Sequence, residues 1–297
     1  MTEPTAAQPI MWPGGKSCAV AFTFDVDAES PLLTTDPAFA DRMGVMSHQA
    51  YGPLVGVPRL LGILGELNVD ATFFVPGYTA ERHPTVIRAI AEAGHEIAHH
   101  GYLHESLVGV DEATERRILT RGLHALADVA GVRPRGYRAP MWEMNWHTPE
   151  LLLEFGFDYD STLMDSDHPY ELAVAGSGRG SGSLVELPVS WALDDWQQYC
   201  FVPDFSGVGL IETPAKAIEL WRSELDAMRA VGGAWILTNH PFLSGRPGRA
   251  FALRDFIAEV CAMDDVWVAS MEQIAAHVRR QQLLPRTLTR PIFSPVE

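Results

Sequence analysis

Three cysteines in 297 residues, Cys18, Cys200 and Cys261, are too few and too scattered for a disulfide framework or a paired-cysteine zinc site. They read as small, reduced, mostly buried side chains. Basic residues are scarce as well: 22 Lys and Arg stand against 38 Asp and Glu, a formal net charge of −16. That balance excludes a broad phosphate-binding surface, and with it nucleic acid, and it disfavours docking on an anionic membrane. No apolar run approaches 18 uninterrupted residues, so no membrane-spanning helix is expected. The opening MTEPTAAQPIMWPGG holds neither a basic region nor a continuous apolar stretch; no secretion signal is read there, and a cytoplasmic protein is expected. Missing too is a glycine-rich turn after the first apolar segment. FDVDAES stands where a dinucleotide-binding fold would carry one.

What is present is a balanced composition, 47% hydrophobic and 20% charged, in a chain long enough for one α/β barrel. Periodicity and breakers predict alternating elements. CAVAFTFDVD reads as a buried strand, apolar until it meets acid, and a long loop follows it. VPRLLGILGELN reads as a helix and DATFFVPG as the second strand. HPTVIRAIAEAG is an amphipathic helix with Pro84 in its first turn and Gly94 as C-cap. EIAHHG is a short strand, DEATERRILTRGLHALADVAG a helix ended by Gly131, and RPRGYRAP a strand. TPELLLEFG is a helix capped by Thr148 with Pro149 at its first position; FDYDST and LVELPVSW are extended. TPAKAIELWRSELDAMRAVGG is a helix, GAWILTNHPF a strand, and VWVASMEQIAAHV a last strand and helix.

Such alternation implies parallel strands sheathed by helices. Asp25, Asp27, His100, Arg138 and His240 all fall at the C-terminal ends of predicted strands, the face where barrels gather their chemistry. The expected fold is a distorted TIM-like (β/α) barrel with a parallel β core. One domain is expected over 1–297, with an N-terminal tail over 1–14 and an extended arm over 281–297 able to pack on a neighbour. SGRGSGS (177–183) lacks the Gly-Lys-Ser/Thr ending of a phosphate loop and reads as a flexible surface loop.

Four of the 11 histidines, His95, His99, His100 and His104, crowd into GHEIAHHGYLHES. Imidazole so concentrated suggests a metal site, although a solvated histidine face would look the same in isolation. Asp25 and Asp27 favour the metal. Two apart on a strand, they project to one side. Like charges ending an apolar strand are costly unless a cation or proton neutralises one, or unless both cap the next loop and face water. Gly101 lets the chain turn after His100 so that His104 can approach. Asp27, His100 and His104 then offer one carboxylate and two imidazoles, a set that leaves positions open for water and substrate. His99 should point away as a core or supporting residue, and His95 falls toward the opposite end of the barrel. His240, in TNHPF, is a candidate general acid. Arg138, in GYRAPMW, either fixes the orientation of Asp25 or makes a surface ion pair.

TFDVD, HGYLH, RAP and LTNH, in this order between about Ala19 and Ala276, resemble the signature of the polysaccharide deacetylase family. The chain departs from the common pattern of two adjacent aspartates and a glycine: Val26 separates Asp25 from Asp27, and Ala28 follows. Through GVPRLLGIL, TFFVPG, APMWE and NHPFLSGRP it looks more like the intracellular branch, which includes peptidoglycan deacetylases, metal-free allantoinases and cyclic imide hydrolases. The resemblance implies hydrolysis of a non-peptide amide bond. A divalent metal, zinc by expectation, would be held by Asp27, His100 and His104, with Asp25 as general base and His240 as general acid. A backbone N–H near Met141 would serve the oxyanion, Asp194 or Asp195 would orient His240, and Trp142, Trp191 and Trp196 would wall the pocket. The implied substrate is an N-acetylated sugar or, alternatively, a small cyclic imide or ureide, and the implied assembly a homo-oligomer. A closed tryptophan-lined pocket under the 165–183 loop would favour the small ring; an open groove would favour a polymer. A binding protein that has lost catalysis is disfavoured, because Asp25 and His240 are both present.

Overall fold

The computed structural model describes residues 9–174, 182–206 and 210–291. Its centre is β1 (Cys18–Asp25), buried along its whole length, as an apolar run covered on both faces must be. Alternation divides that strand. Cys18, Val20, Phe22 and Phe24 pack outward among the helices, whereas Ala19 and Ala21 belong to a second apolar cluster shared with Phe74, Ala98, Tyr159 and Ile236. Asp25 continues the inner, odd-numbered series, so the strand itself aims it at the middle of the sheet. Burying one phenylalanine of the outer series contributes about 1.5–3 kcal/mol.

β1 pairs in parallel with β2 (Thr72–Val75) near its end and with β8 (Ala234–Asn239) along most of its length; β9 (Val266–Val268) takes its first three residues. From β2 the ladder passes in parallel through β3 (Glu96–His99), β4 (Gly136–Tyr137), β5 (Tyr159–Asp160) and β7 (Gly182–Glu186). The edge strand β6 (Tyr170–Val174) is antiparallel to β7. Asp194 and Asp195 bring the chain after β7 onto β8, the Asp195 N–H donating to the Thr238 carbonyl over 3.0 Å, and so bend the sheet toward a distorted barrel. Because these strands are parallel, their C-terminal ends share one rim.

Outside lie α1 (Ser30–Thr35), α2 (Met43–Tyr51), α3 (Val57–Leu67), α4 (Gly77–Arg82), α5 (Pro84–Glu92), α6 (Glu112–Ala130), α7 (Thr148–Phe155), α8 (Trp196–Tyr199), α9 (Pro214–Val231), α10 (Pro241–Ser244), α11 (Pro247–Cys261) and α12 (Met271–Arg280). Their ends obey local chemistry. Asp111 and Thr213 cap α6 and α9, Ser270 closes a reciprocal capping box with Gln273, and Gly131 and Gly232 end helices in left-handed backbone.

Several expectations need correction. The long loop after β1 is helical: α1, a 3₁₀ turn over Pro37–Asp41, α2 and a π-helical turn over Gly52–Gly56. This segment seats tightly, since a Cβ on Gly56 would fall 2.2 Å from the Pro241 carbonyl oxygen. The strand expected over RPRGYRAP shrinks to two residues, and α11 was not foreseen. Thr148 lies inside α7; its hydroxyl accepts the Asn145 N–H and donates to Glu115 instead of capping the helix. In the 165–183 segment, residues 165–169 lead into β6, which pairs with β7 from Gly182, while 175–181 lie outside the described residues. Within the N-terminal tail Ile10 and Trp12 are buried, and Trp12 Nε1 donates to the Gly232 carbonyl at 2.9 Å. Arg286, in the C-terminal arm, forms an isolated parallel bridge with Leu172.

Candidate metal centre and active site

At the rim, β1 gives way to a turn held through the Asp27 carbonyl, which accepts from Ser30 Oγ at 2.7 Å and Thr79 Oγ1 at 2.8 Å. The turn needs Ala28 at φ 51°, and four more non-glycine residues around the rim are left-handed: His104 (55°), Met141 (58°), Trp142 (55°) and Asp204 (63°). Such backbone costs about 1–3 kcal/mol per residue, and its clustering points to a functional site. After β3, Gly101 at φ 72° turns the chain, and the Glu105 carboxylate accepts the N–H groups of Tyr102 and Leu103. That turn carries His104 back beside His100.

His100 Nε2 lies 3.5 Å from Asp27 Oδ1, and His104 Nε2 lies 3.6 Å from Asp27 Oδ2. All three residues are buried. The His100 Nδ1 proton is committed to the Arg138 carbonyl at 2.8 Å, which leaves the Nε2 lone pair facing Asp27. Burial drives the His100 pKa down to about 3 and that of His104 well below its ordinary value, so both imidazoles are neutral donors. Burial also pushes Asp27 up to about 7, against the pull of His240, and Asp27 Oδ1 has no hydrogen-bond partner. A cation fits this set. Donors about 2.0–2.1 Å from a tetrahedral zinc stand about 3.4 Å apart, close to the spacings found here. Asp27, His100 and His104 therefore form a group able to hold a metal ion.

Asp25 sits beside this group but is held differently. Arg138, fully buried, donates from Nη1 to Asp25 Oδ1 at 2.7 Å and spends its other donors on Thr23 and Ser161. Of the two readings of Arg138, the surface ion pair is thus excluded. His240 approaches from β8, its Nε2 3.5 Å from Asp27 Oδ2. Its Nδ1 donates to Asp195 Oδ1 at 2.7 Å, and Asp195 also accepts the His240 backbone N–H and the Ser244 hydroxyl. Burial opposes a charge on His240, but the Asp195 hydrogen bond and the carboxylates of Asp195, Asp194 and Asp27 outweigh it and hold the imidazolium up to about 10. Asp194 Oδ1 stands farther off, 3.6 Å from the same Nδ1.

These groups line one cavity of about 440 Å³. Trp142 and Trp191 stack at its lip with ring centroids 4.5 Å apart, Met141 beside them, and Trp196 meets the His240 ring edge-on at 5.1 Å. Pro31 and Thr35 of α1 and Gln197, Asp204, Phe205 and Ser206 complete the lining. None of these six was expected from the sequence, since 28–56 carries no long periodic run and 197–206 no motif. No described residue of 165–183 lines the cavity, so the cap expected from that loop is not found among them. His99 turns away: its Nδ1 accepts the Gly101 N–H, its Nε2 faces the Leu119 carbonyl, and its ring stacks on Tyr137. His95 lies before β3, at the other end of the strand, against Phe73.

The sequence profile named polysaccharide deacetylase matches residues 50–159. A peptidoglycan deacetylase of Helicobacter pylori is 32% identical over 253 residues, covering 78% of this chain and 86% of that protein. Among solved structures, one from Mycobacterium smegmatis, provisionally described as a polysaccharide deacetylase, is 83% identical, with a TM-score of 0.94 over 97% of this chain and 99% of the other. Puue allantoinase is 26% identical, with a TM-score of 0.79 over 93% of this chain and 95% of its own. The chain belongs to the polysaccharide deacetylase family, whose deacetylases hydrolyse carbon–nitrogen amide bonds with the help of a metal.

Proposed function

We propose that the chain, acting as one catalytic domain over 1–297, is a zinc-dependent amidohydrolase that removes acetyl groups from N-acetylated sugars. The observation that carries this reading is the convergence, in one cavity, of a donor set of one under-partnered carboxylate and two neutral imidazoles (Asp27, His100, His104), an arginine-held carboxylate (Asp25) and a carboxylate-held imidazolium (His240). The metal, held by Asp27, His100 and His104, would polarise the amide carbonyl and acidify water. Asp25, fixed by Arg138, takes the proton of the attacking water as its oxygen bonds to the acyl carbon. His240, held charged by Asp195, gives its Nε2 proton to the nitrogen as the C–N bond breaks. The N–H of Met141, in a left-handed turn that lines the cavity, would serve the oxygen that gains charge. The Trp142–Trp191 pair offers a flat apolar surface for a sugar ring, with Trp196 behind His240.

A second reading, a small cyclic imide or ureide, is favoured by the added walls from α1 and residues 197–206 and by the likeness to an allantoinase across most of the chain. No helix among the described residues is long and apolar enough to cross a membrane. Cytoplasmic residence and homo-oligomeric assembly belong to the proposal through the family likeness. The deciding experiment is acetate release from N-acetylglucosamine oligomers by protein of confirmed zinc content. Release above a metal-stripped control establishes the first reading. Its absence, with turnover of a cyclic imide or ureide, establishes the second.

A further inference from the structure

Asp194 and Asp195 are neighbours in sequence and both close to His240, yet their bonding differs. Asp195 is saturated: it receives the His240 backbone N–H, the His240 Nδ1 proton and the Ser244 hydroxyl, and it is fully buried. Orientation of the imidazole is therefore complete without Asp194. Asp194 is also buried, but it lines the cavity with Asp27, Trp191, Trp196 and His240. Its contacts with the protein run through Oδ1, which accepts the Trp196 N–H at 2.9 Å and lies 3.6 Å from His240 Nδ1.

The other acids of the cavity are occupied. Asp25 takes Arg138, Asp27 faces the imidazoles of His100, His104 and His240 as the carboxylate of the candidate metal group, and Asp204 is exposed at the rim and bridged to Arg42 at 3.2 Å. The second oxygen of Asp194 opens to the cavity, and a group that displaces water from it loses affinity unless that group also donates a hydrogen bond. A carboxylate accepts and does not donate, so the entering group must carry an N–H or O–H. Resting on the hydrolase reading above, we propose that Asp194 is a specificity-determining residue that accepts a hydrogen bond from a substrate N–H or O–H flanking the scissile amide. On a sugar this is a ring hydroxyl; on a cyclic imide or ureide it is a ring N–H.

Asp194→Asn is the informative variant. Its side-chain carbonyl keeps the Trp196 bond, while the new NH₂ turns an acceptor into a donor; Asp194→Ala, which loses both, is made beside it and each fold is checked by thermal melting. The substrates are an N-acetylglucosamine trisaccharide and 4-nitrophenyl acetate, whose ester group has no donor. For both variants the preference for trisaccharide over ester, as a ratio of kcat/KM, falls about 10- to 100-fold, mainly through KM. Trisaccharide affinity, measured by calorimetry in an Asp25→Asn background, weakens by a similar factor. Equal losses on both substrates, or unchanged affinity, overturn the assignment and return Asp194 to the support of His240, with the hydrolase reading intact. A zinc-loaded wild type inert toward the trisaccharide defeats the sugar reading instead. The variants are then scored on a cyclic imide against the same ester, and an unchanged preference there overturns the role of Asp194.

Discussion

Two clusters of buried acid share this barrel, and they resolve the same electrostatic problem in opposite ways. Asp25 and Asp27, at the end of β1, open onto the cavity beside Arg138, His100, His104 and His240. Asp160 and Glu186 face each other across β5 and β7 and are fully buried, away from that cavity. Glu186 Oε1 accepts the N–H groups of Thr162 and Leu163, and Asp160 Oδ1 accepts the Thr162 hydroxyl. The remaining oxygens, Asp160 Oδ2 and Glu186 Oε2, have no donor in reach. Burial, followed by the charge of Asp160, raises Glu186 well above the carboxylate range, so one proton held between the two acids satisfies the pair. Arg138 lies between the clusters and gives its Nη1 to Asp25 while bonding Ser161, the residue next to Asp160. Buried acid alone does not mark a site. A cavity, and neutral nitrogen donors in place of the shared proton, do.

The comparison breaks most severely if the first cluster is not a metal site. His104→Ala should strip most of the metal and lower turnover on the order of 10³-fold, read by metal analysis and acetate release. Full metal occupancy in that variant would make the two clusters alike. Asp25→Asn should keep the metal and lose about 10²- to 10³-fold in turnover, since it removes only the proton acceptor. Loss of metal together with activity would recast Asp25 as a ligand.

The smallest effect belongs to the closed pair. Its acids bind in the folded state a proton that the unfolded chain releases near pH 4. The folded state therefore holds more protons above that pH, and the pair's contribution to stability falls as pH rises until its own proton is lost. Glu186→Gln keeps the carbonyl acceptor and supplies a permanent donor toward Asp160. Melting curves should show the variant about 1–2 kcal/mol more stable at pH 8, with little difference at pH 4.5. A variant less stable at pH 8 would show that the wild-type pair is ionised and tolerated.

The site was legible where spacing carries direction. Asp25 ends a strand whose alternation was plain, Asp27 follows in the turn just past the strand expected to hold both, and Gly101 announced the turn that returns His104. Helices with proline starts and glycine ends were legible for the same local reason. The segment 28–56 was not, because its helices are short, interrupted by Pro31, Pro37 and Pro53, and held by packing against the chain around Pro241 that no periodicity reveals. The division of labour between Asp194 and Asp195 depends on which one meets Ser244, 49 residues later. The Asp160–Glu186 pair could have been found by the rule applied to β1: FDYDST and LVELP each place an acid within an apolar extended run.

The stacked indoles have an optical consequence. Trp142 and Trp191, 4.5 Å apart and inclined by 26°, are close enough for their excited states to couple, and Trp191 is 47% exposed at the lip while Trp142 is buried. Far-ultraviolet circular dichroism, where the strong indole transition lies, then carries a signed couplet from this pair, and a ring that slides against or between the indoles perturbs it. The enzyme thus contains its own chromophore for ligand entry, readable without label and without turnover.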